Sequence, residues 1–148
     1  MNNIPLAERL ASAMEQVTHT INNSSTAGLE KKPAPGKWSK KEILGHLIDS
    51  AINNLQRFTE IQYQPQPYQV RRYSQDDLVI ANGYQQASID EILKCWTALN
   101  TRILNVIKTL PADKLSLPLL LPDGTKKDLE FLISDYVDHM LHHHRQLN

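Results

Sequence analysis

Apolar residues recur every three or four positions in four separate segments, and this pattern limits the fold of the chain more than any other feature. In the first segment the repeat runs from Leu6 to Ile21. That spacing places the apolar side chains on one face of an α-helix. Pro5 fits the first turn, where a backbone N–H has no helical partner to lose. We therefore predict a first helix that ends at the polar residues 22–25 and is followed by a basic, proline-containing loop at residues 31–37.

Serine caps mark the beginning of the second and third helices. Ser39-Lys40-Lys41-Glu42 is a capping box, in which the serine hydroxyl and the glutamate carboxylate each accept a hydrogen bond from the other residue's amide. The apolar stripe that follows runs to about Ile61. Ser88-Ile89-Asp90-Glu91 repeats this chemistry, and Pro111 ends the third stripe. Both segments therefore have a defined beginning and end as helices.

The last apolar segment predicts a fourth helix. Pro122-Asp123-Gly124 is a turn, after which Thr125 and Asp128 are placed to cap a helix that runs nearly to the end of the chain. Residues 115–121 are apolar but contain a proline, so we expect a loop or one brief extended piece there. Four amphipathic helices without a strand pattern predict an all-α four-helix bundle, formed as a single domain by residues 1–148.

A long polar stretch at residues 62–87 separates the second helix from the third. Connections of that length inside a compact domain are uncommon and are more often functional or covering than idle. Four tyrosines lie in it, namely Tyr63, Tyr68, Tyr73 and Tyr84. We favour the interpretation that these rings pin the stretch to the bundle, and the alternative is that they line or cover a pocket.

A histidine pair near the C-terminus, His139 and His143, gives the strongest chemical signal. The two residues are four positions apart, so both imidazoles lie on one face of the fourth helix, and Asp135 extends the row by one turn. His142 and His144 project elsewhere. Two imidazoles on an inward edge cost desolvation unless something satisfies them. The pair is therefore a candidate for metal binding, with polar packing as the alternative.

His46 is the third candidate ligand. It lies at the edge of the apolar stripe of the second helix, on the side that also carries Ser50, Asn53 and Arg57. A polar strip that borders a buried face is typical of a pocket between helices. Three neutral imidazoles that converge and leave one position open are a common way to hold a reactive divalent metal. A polar residue satisfied without metal is the alternative for His46.

Charge and cysteine content exclude several classes of protein. Sixteen basic residues balance sixteen acidic ones, so neither a nucleic-acid footprint nor binding to an anionic membrane is indicated. The single cysteine, Cys95, excludes an internal disulfide and fits a reducing compartment. No export signal is visible, and no apolar run approaches the roughly 18 residues of a membrane span. We therefore expect a soluble, cytoplasmic protein.

Two parts of the chain resemble the DinB-like (DinB/YfiT) family. Residues 38–50, W-S-K-K-E-I-L-G-H-L-I-D-S, are similar to the signature of that family's second helix, in which a tryptophan and serine lead to a metal-binding histidine followed by leucine. Residues 138–147, D-H-M-L-H-H-H-R-Q-L, resemble its closing helix with the H-x-x-x-H pair. The resemblance extends over nearly the whole chain.

This resemblance implies a four-helix bundle with a long crossover loop between the second and third helices. It also implies a divalent metal, commonly nickel or zinc, held by three histidines that match His46, His139 and His143. Members of the family commonly form homodimers. Some are thiol-S-transferases that use a low-molecular-weight thiol, and a few are isomerases or hydrolases.

The leading hypothesis is a metal-dependent transferase that activates a small thiol for attack on a small-molecule electrophile. Asp49 or Asp135 is a candidate to orient a ligand imidazole, and Arg57 is a candidate to contact an anionic part of the thiol or substrate. A metal-dependent hydrolase at the same site is the first alternative, with Asp49 or Asp135 as the base. The others are a non-catalytic, stress-related metal-binding module and a protein without metal.

Overall fold

Four long helices form the framework of the protein, as the sequence predicts. The computed structural model describes residues 3–148. In chain order its helices are α1 (Ile4–Asn22), α2 (Thr26–Glu30), α3 (Lys40–Glu60), α4 (Gln75–Ala81), α5 (Ile89–Thr109) and α6 (Leu129–Leu147). The four long ones, α1, α3, α5 and α6, confirm the four-helix bundle. No helix of the described residues is long and apolar enough to cross a membrane.

The helix starts follow the predicted caps with two corrections. The Ser39 hydroxyl accepts from the Glu42 amide at 3.1 Å and the Glu42 carboxylate accepts from the Ser39 amide at 3.1 Å, so the capping box is complete. The Ser88 hydroxyl caps α5 by accepting from the Glu91 amide at 3.1 Å, without the reciprocal bond from the Ser88 amide to the Glu91 carboxylate in the described structure. At α6 the Asp128 carboxylate caps alone, by accepting from the amide of residue 131 at 2.9 Å. The prediction for Thr125 is wrong, because its amide closes the preceding turn instead.

The core lies between the long helices. α3 packs against α5 and α6, and α1 packs against the same two helices. Leu10, Leu44, Trp96 and Ile133, one from each long helix, are fully buried. Burying each such side chain contributes roughly 1.5–3 kcal/mol, which is the main reason that these amphipathic segments associate. The bundle therefore has an apolar core of its own on which a site can be built.

The crossover between α3 and α5 contains more structure than its sequence indicates. It includes α4 and a short strand, β1 (Tyr68–Gln69), which pairs in parallel with β2 (Pro118–Leu120); β2 pairs antiparallel with β3 (Lys126–Asp128). β2 is the brief extended piece that we predict within residues 115–121, whereas β1, β3 and the pairing of the three strands are not indicated by the sequence. Strands of two or three residues are too short to show the alternation that identifies a strand from sequence. The sequence also gives no indication of the helix α2, because five residues are too few to show a helical repeat of apolar residues.

Two of the four tyrosines pin the crossover to α3, as we favoured. The Tyr84 ring lies against Gly45, and its hydroxyl donates to the Asp49 carboxylate at 2.6 Å. The Tyr68 hydroxyl donates to the Glu60 carboxylate at 2.8 Å. Both rings are buried, whereas Tyr63 is 71% exposed and pins nothing. The crossover is thus fixed on both sides of the α3 surface that carries the polar strip.

Candidate metal centre

The structure brings His46, His139 and His143 together, although 93 residues separate the first two. His46 comes from α3, and the other two come from successive turns of α6. The ring centroids of His46 and His139 are 5.0 Å apart, and the other two pairs are each 4.6 Å apart. Each residue offers one ring nitrogen within 4.8 Å of the others. This is the arrangement that a shared ion requires.

Hydrogen bonds define which nitrogen of each ring faces the group. The Nδ1 atom of His143 donates to the Gln146 side-chain oxygen at 2.7 Å, which leaves the lone pair on Nε2. The Nε2 atoms of His46 and His139 face each other at 3.1 Å. The Nδ1 atom of His46 is buried without a hydrogen-bond partner among the described residues. The Nε2 edges of these rings are therefore the ones directed into the cluster.

Burial keeps the three rings uncharged at neutral pH. His46 is fully buried, and this, with the neighbouring imidazoles, lowers its pKa to about 3. Burial and the adjacent His143 and His142 lower the pKa of His139 to about 4. Burial also lowers the pKa of His143, against the opposing effect of the bond to Gln146. Neutral imidazoles are the form that binds metal.

The donor set fits a divalent transition metal. It consists of three neutral nitrogen ligands from rigid helices, and it has no fourth protein ligand among the described residues. Structural zinc sites close with four protein ligands, whereas catalytic sites hold three and keep a position open. Three protein ligands among the described residues match the ligand count of the second type.

Trp38 and Gln146 complete the surroundings of the cluster, and the sequence interpretation missed both. The Trp38 ring centroid lies 4.8 Å from that of His46 and 6.5 Å from that of His143. Nothing local in the sequence reveals the contact of Trp38 with α6. The sequence did carry a signal for Gln146, which lies three residues after His143 and so shares its helix face.

A polar cleft of about 470 Å³ opens beside the cluster on the side of His139. Its walls include Asn54 and Arg57 from α3, Tyr73 from the crossover and Asp135 from α6. For Tyr73 the alternative interpretation therefore holds, because this tyrosine lines a pocket. The cleft provides a place for a small molecule next to one of the three histidines.

Arg57 and Asp135 are placed in the cleft rather than in contact with an imidazole. The Arg57 guanidinium donates to the backbone oxygen of Arg71 and to Asn54, and it lies 5.4 Å from the centre of the Tyr73 ring. Burial lowers the pKa of Arg57. Burial and the neighbouring Asp138 raise the pKa of Asp135, against the opposing charge of Arg57. Arg72 and Asp123 also line the cleft, which thus contains two cations and two carboxyl groups.

Asp49 has partners other than the expected imidazole. One oxygen of its carboxylate accepts from the Tyr84 hydroxyl and from the Asn82 amide at 2.9 Å, and the other oxygen has no partner in the described part of the chain. Burial raises its pKa against these two bonds. Asp49 therefore holds the crossover on α3, which sequence position alone did not reveal.

Comparisons with known proteins agree with the fold and extend over nearly the whole chain. The model of the DinB superfamily matches residues 8–147. The chain is similar to YfiT from Bacillus subtilis, described as a probable metal-dependent hydrolase with an unusual four-helix bundle topology, at 20% identity and a TM-score of 0.86. That match covers 98% of this chain and 83% of YfiT.

A second similar structure is the mycothiol-dependent maleylpyruvate isomerase, at 10% identity and a TM-score of 0.80. It covers 100% of this chain, but the chain spans only 61% of the isomerase. A histidine-to-alanine variant of that enzyme matches equally well. No curated protein matches the sequence at a significant level. Identities this low show a shared fold, while the family model matches most of the sequence itself, and the chain therefore belongs to the DinB superfamily.

Proposed function

We propose that this protein is a divalent-metal-dependent enzyme, a low-molecular-weight-thiol S-transferase whose ion is held by His46, His139 and His143. The observation that carries this proposal is the convergence of three uncharged imidazoles beside an open cleft. Nickel and zinc are the ions that we propose, since both accept imidazole ligands. A divalent ion in this position supplies a Lewis acid, which lowers the pKa of a thiol or water bound beside it.

The residues around the cluster have separate tasks in this proposal. Gln146 holds the His143 ring with Nε2 directed inward, and Trp38 covers the rings of His46 and His143. A fixed ring loses less entropy when it acts as a ligand, and a covered site strengthens electrostatic interactions. These residues therefore prepare the site rather than react in it.

The cleft is the proposed place of the substrate. Arg57 offers a guanidinium to an anionic group, and its bonds to Asn54 and the crossover keep it in position. Asp135 offers a carboxylate that can accept the proton released when a thiol ionises. The thiolate sulfur then forms a bond to the electrophilic carbon, and the leaving group takes the electron pair of the bond that breaks.

A metal-dependent hydrolase at the same site is the second candidate. It is favoured by the similarity to YfiT, whose description names a probable hydrolase. In this case Asp135 accepts the proton of a water molecule instead of a thiol. The similarity to a mycothiol-dependent isomerase supports the thiol chemistry instead. A non-catalytic metal-binding module is less well supported, because the cluster has three protein ligands and an adjacent cleft.

Thiol dependence of turnover tests the proposal directly. Protein loaded with zinc or nickel would be assayed for conjugation of 1-chloro-2,4-dinitrobenzene with glutathione, cysteine, bacillithiol and mycothiol, and for hydrolysis of p-nitrophenyl acetate without thiol. We expect conjugation that requires both metal and a thiol and is lost in His143→Ala. The exposed neighbour His142 provides the control, since His142→Ala should keep the activity. Thiol-independent hydrolysis alone would favour the hydrolase, and no turnover would contradict both.

We further propose that the protein acts as a homodimer in the cytoplasm. The resemblance of its sequence to the DinB-like family supports the dimer, and the single exposed cysteine fits a reducing compartment. Light scattering should give twice the chain mass of 16.9 kDa. A mass equal to one chain at micromolar concentration would contradict the dimer.

A further inference from the structure

A second cavity of the described chain lies at the other end of the histidine cluster from the polar cleft. It has a volume of about 780 Å³, which is within the range of small-molecule sites. Lys31, Lys37, Lys40, Trp38 and Gln146 are among its lining residues, and we call it the lysine cavity. The α3 residues that line the lysine cavity come before His46 in the sequence. The α3 residues that line the polar cleft come after His46. The cluster is thus flanked by two separate cavities.

The lysine cavity carries a surplus of positive charge. Two further lysines of the same segment are neutralised, because Lys32 pairs with Glu42 at 2.6 Å and Lys41 pairs with Glu30 at 3.0 Å. The three lysines of the cavity form no ion pair within residues 3–148, and the lining contains one carboxylate, that of Asp76. Three cations and one anion leave two unbalanced positive charges. Such a surplus attracts anions.

The remaining walls of the lysine cavity are mainly apolar. Trp38 and Ile43 supply an aromatic and an aliphatic surface, and Pro33 lies on the loop that faces them. Pockets that combine apolar walls with a few polar groups bury the body of a ligand and fix its orientation. Gln146 adds one amide to this lining, and the oxygen of that amide already accepts from His143. Its amide hydrogens are the part that a ligand can use.

Trp38 and Gln146 each belong both to the lysine cavity and to the surroundings of the cluster. The Trp38 ring touches the side of His46, and Gln146 holds the ring of His143. A molecule that fills the cavity therefore contacts the two residues that order the histidines. Filling it should change the environment of Trp38 without displacing any proposed metal ligand.

We propose that the lysine cavity binds a small molecule that carries an anionic oxygen group, a carboxylate or a phosphate, on an apolar body. The anionic group lies among Lys31, Lys37 and Lys40, and the apolar body packs on Trp38. The inference rests on the proposed function in one respect: the bound molecule would be one of the two reactants, and the polar cleft would hold the other reactant. The binding itself requires no metal, so it can be tested separately.

Titrations with simple probes test this proposal on the full-length protein. Benzoate and phenyl phosphate represent the two anionic groups, and benzamide is the neutral control of the same shape. Binding would be followed by the indole signal of Trp38 in nitrogen-15 NMR spectra, assigned with Trp38→Phe. We expect saturable binding of at least one anion and weaker binding of benzamide. The preferred anion shows whether a carboxylate or a phosphate is recognised.

Charge variants separate the cavity from the rest of the surface. A Lys31→Gln/Lys37→Gln/Lys40→Gln variant should bind the preferred anion about three- to 100-fold more weakly, since each exposed ion pair contributes about 1.4- to fivefold. The matched control is Lys94→Gln/Lys108→Gln/Lys126→Gln, which removes three exposed lysines elsewhere and should bind as the wild type does. Circular dichroism would verify that both variants are folded.

The outcomes are distinct from those of the proposed function. His143→Ala protein should lose metal-dependent turnover and still bind the anion, because the cavity does not include that histidine. Absence of saturable binding of either anion, binding of benzamide as tight as that of the anions, or equal loss in both triple variants would each overturn the proposal. Loss of turnover with anion binding retained would instead count against the metal chemistry alone.

Discussion

At the scale of single residues, Gln146 matters for the site because it sets the hydrogen position of His143. Its side-chain oxygen accepts from Nδ1 of that ring at 2.7 Å. Groups that orient a metal-binding histidine typically affect metal affinity by about 10–100-fold. Gln146→Leu should therefore weaken zinc binding by about that factor, measured by competition with a chromogenic chelator. Gln146→Glu keeps an acceptor oxygen and should restore most of the affinity; equal affinity in wild type and Gln146→Leu would contradict this role.

The pKa shifts of the buried histidines predict a loss of stability in mild acid. Burial lowers the pKa of His46 to about 3 and that of His139 to about 4, whereas histidine in an unfolded chain titrates near about 6.5. Between these values the unfolded state binds protons that the native state does not. The free energy of unfolding of the metal-free protein is therefore highest above about pH 6.5 and falls as the pH drops below it.

Urea unfolding at about pH 7.5 and about pH 5 measures this effect. His46→Asn provides the comparison, because it removes one of the buried rings and should reduce the difference in unfolding free energy between the two pH values. Identical pH dependence in the wild type and this variant would show that His46 does not titrate as its burial indicates.

Helical phase explains which site residues the sequence reveals. His139 and His143 are selected from a crowded group because a spacing of four fixes their relation on one helix, and the structure confirms that they share a face. The neighbour His144 bonds instead to Thr20 of α1 at 2.9 Å. The contacts of Asp49 and Trp38 could not be predicted in this way, because their partners lie on other elements. A periodic pattern carries no information about contacts between elements.

At the scale of elements, the contact between Tyr84 and Gly45 locks the crossover onto α3. A Cβ atom at Gly45 would lie 2.2 Å from the Tyr84 ring, so only glycine permits this approach. Gly45→Ala should therefore destabilise the protein by about 1–3 kcal/mol through overpacking, reduced by up to about 1 kcal/mol of gained helix propensity. Urea unfolding measures the change in free energy.

A double-mutant cycle with Tyr84→Ala checks the cause. If the ring is the obstacle, Gly45→Ala should cost little or even stabilise in the Tyr84→Ala background, since only the propensity gain is left. An equal loss of unfolding free energy in both backgrounds would show that the Gly45 substitution does not act through the Tyr84 ring.

The elements that the sequence predicts well are those with local signals. Each of the four long helices shows apolar periodicity, and the caps at Ser39 and Ser88 fix two starts within the chain itself. The three-stranded sheet has no such signal. β1 and β2 pair Tyr68 with Leu119 across 51 residues, and this pairing depends on the bundle that brings the two connections together. Short elements of this kind follow from tertiary structure rather than from local preference.

At the scale of the whole molecule, we expect the bundle to fold without the proposed ion. Its apolar core includes residues of all four long helices, and none of these core contacts requires the ion. Chelation should therefore leave the helix content unchanged in far-ultraviolet circular dichroism. The Tm should fall only as far as the loss of the metal-binding free energy from the free energy of unfolding requires. Unfolding on chelation would indicate a structural centre instead, as in domains that lack a core of their own.

The metal content of histidine variants tests the central claim most directly. Wild-type protein and variants would be loaded with zinc or nickel, desalted and measured by elemental analysis. The three-histidine site predicts about one ion per chain in the wild type and in His142→Ala, and strong loss in His46→Ala, His139→Ala and His143→Ala, because two imidazoles hold these ions weakly. Equal metal content in the wild type and His143→Ala would contradict the three-histidine site.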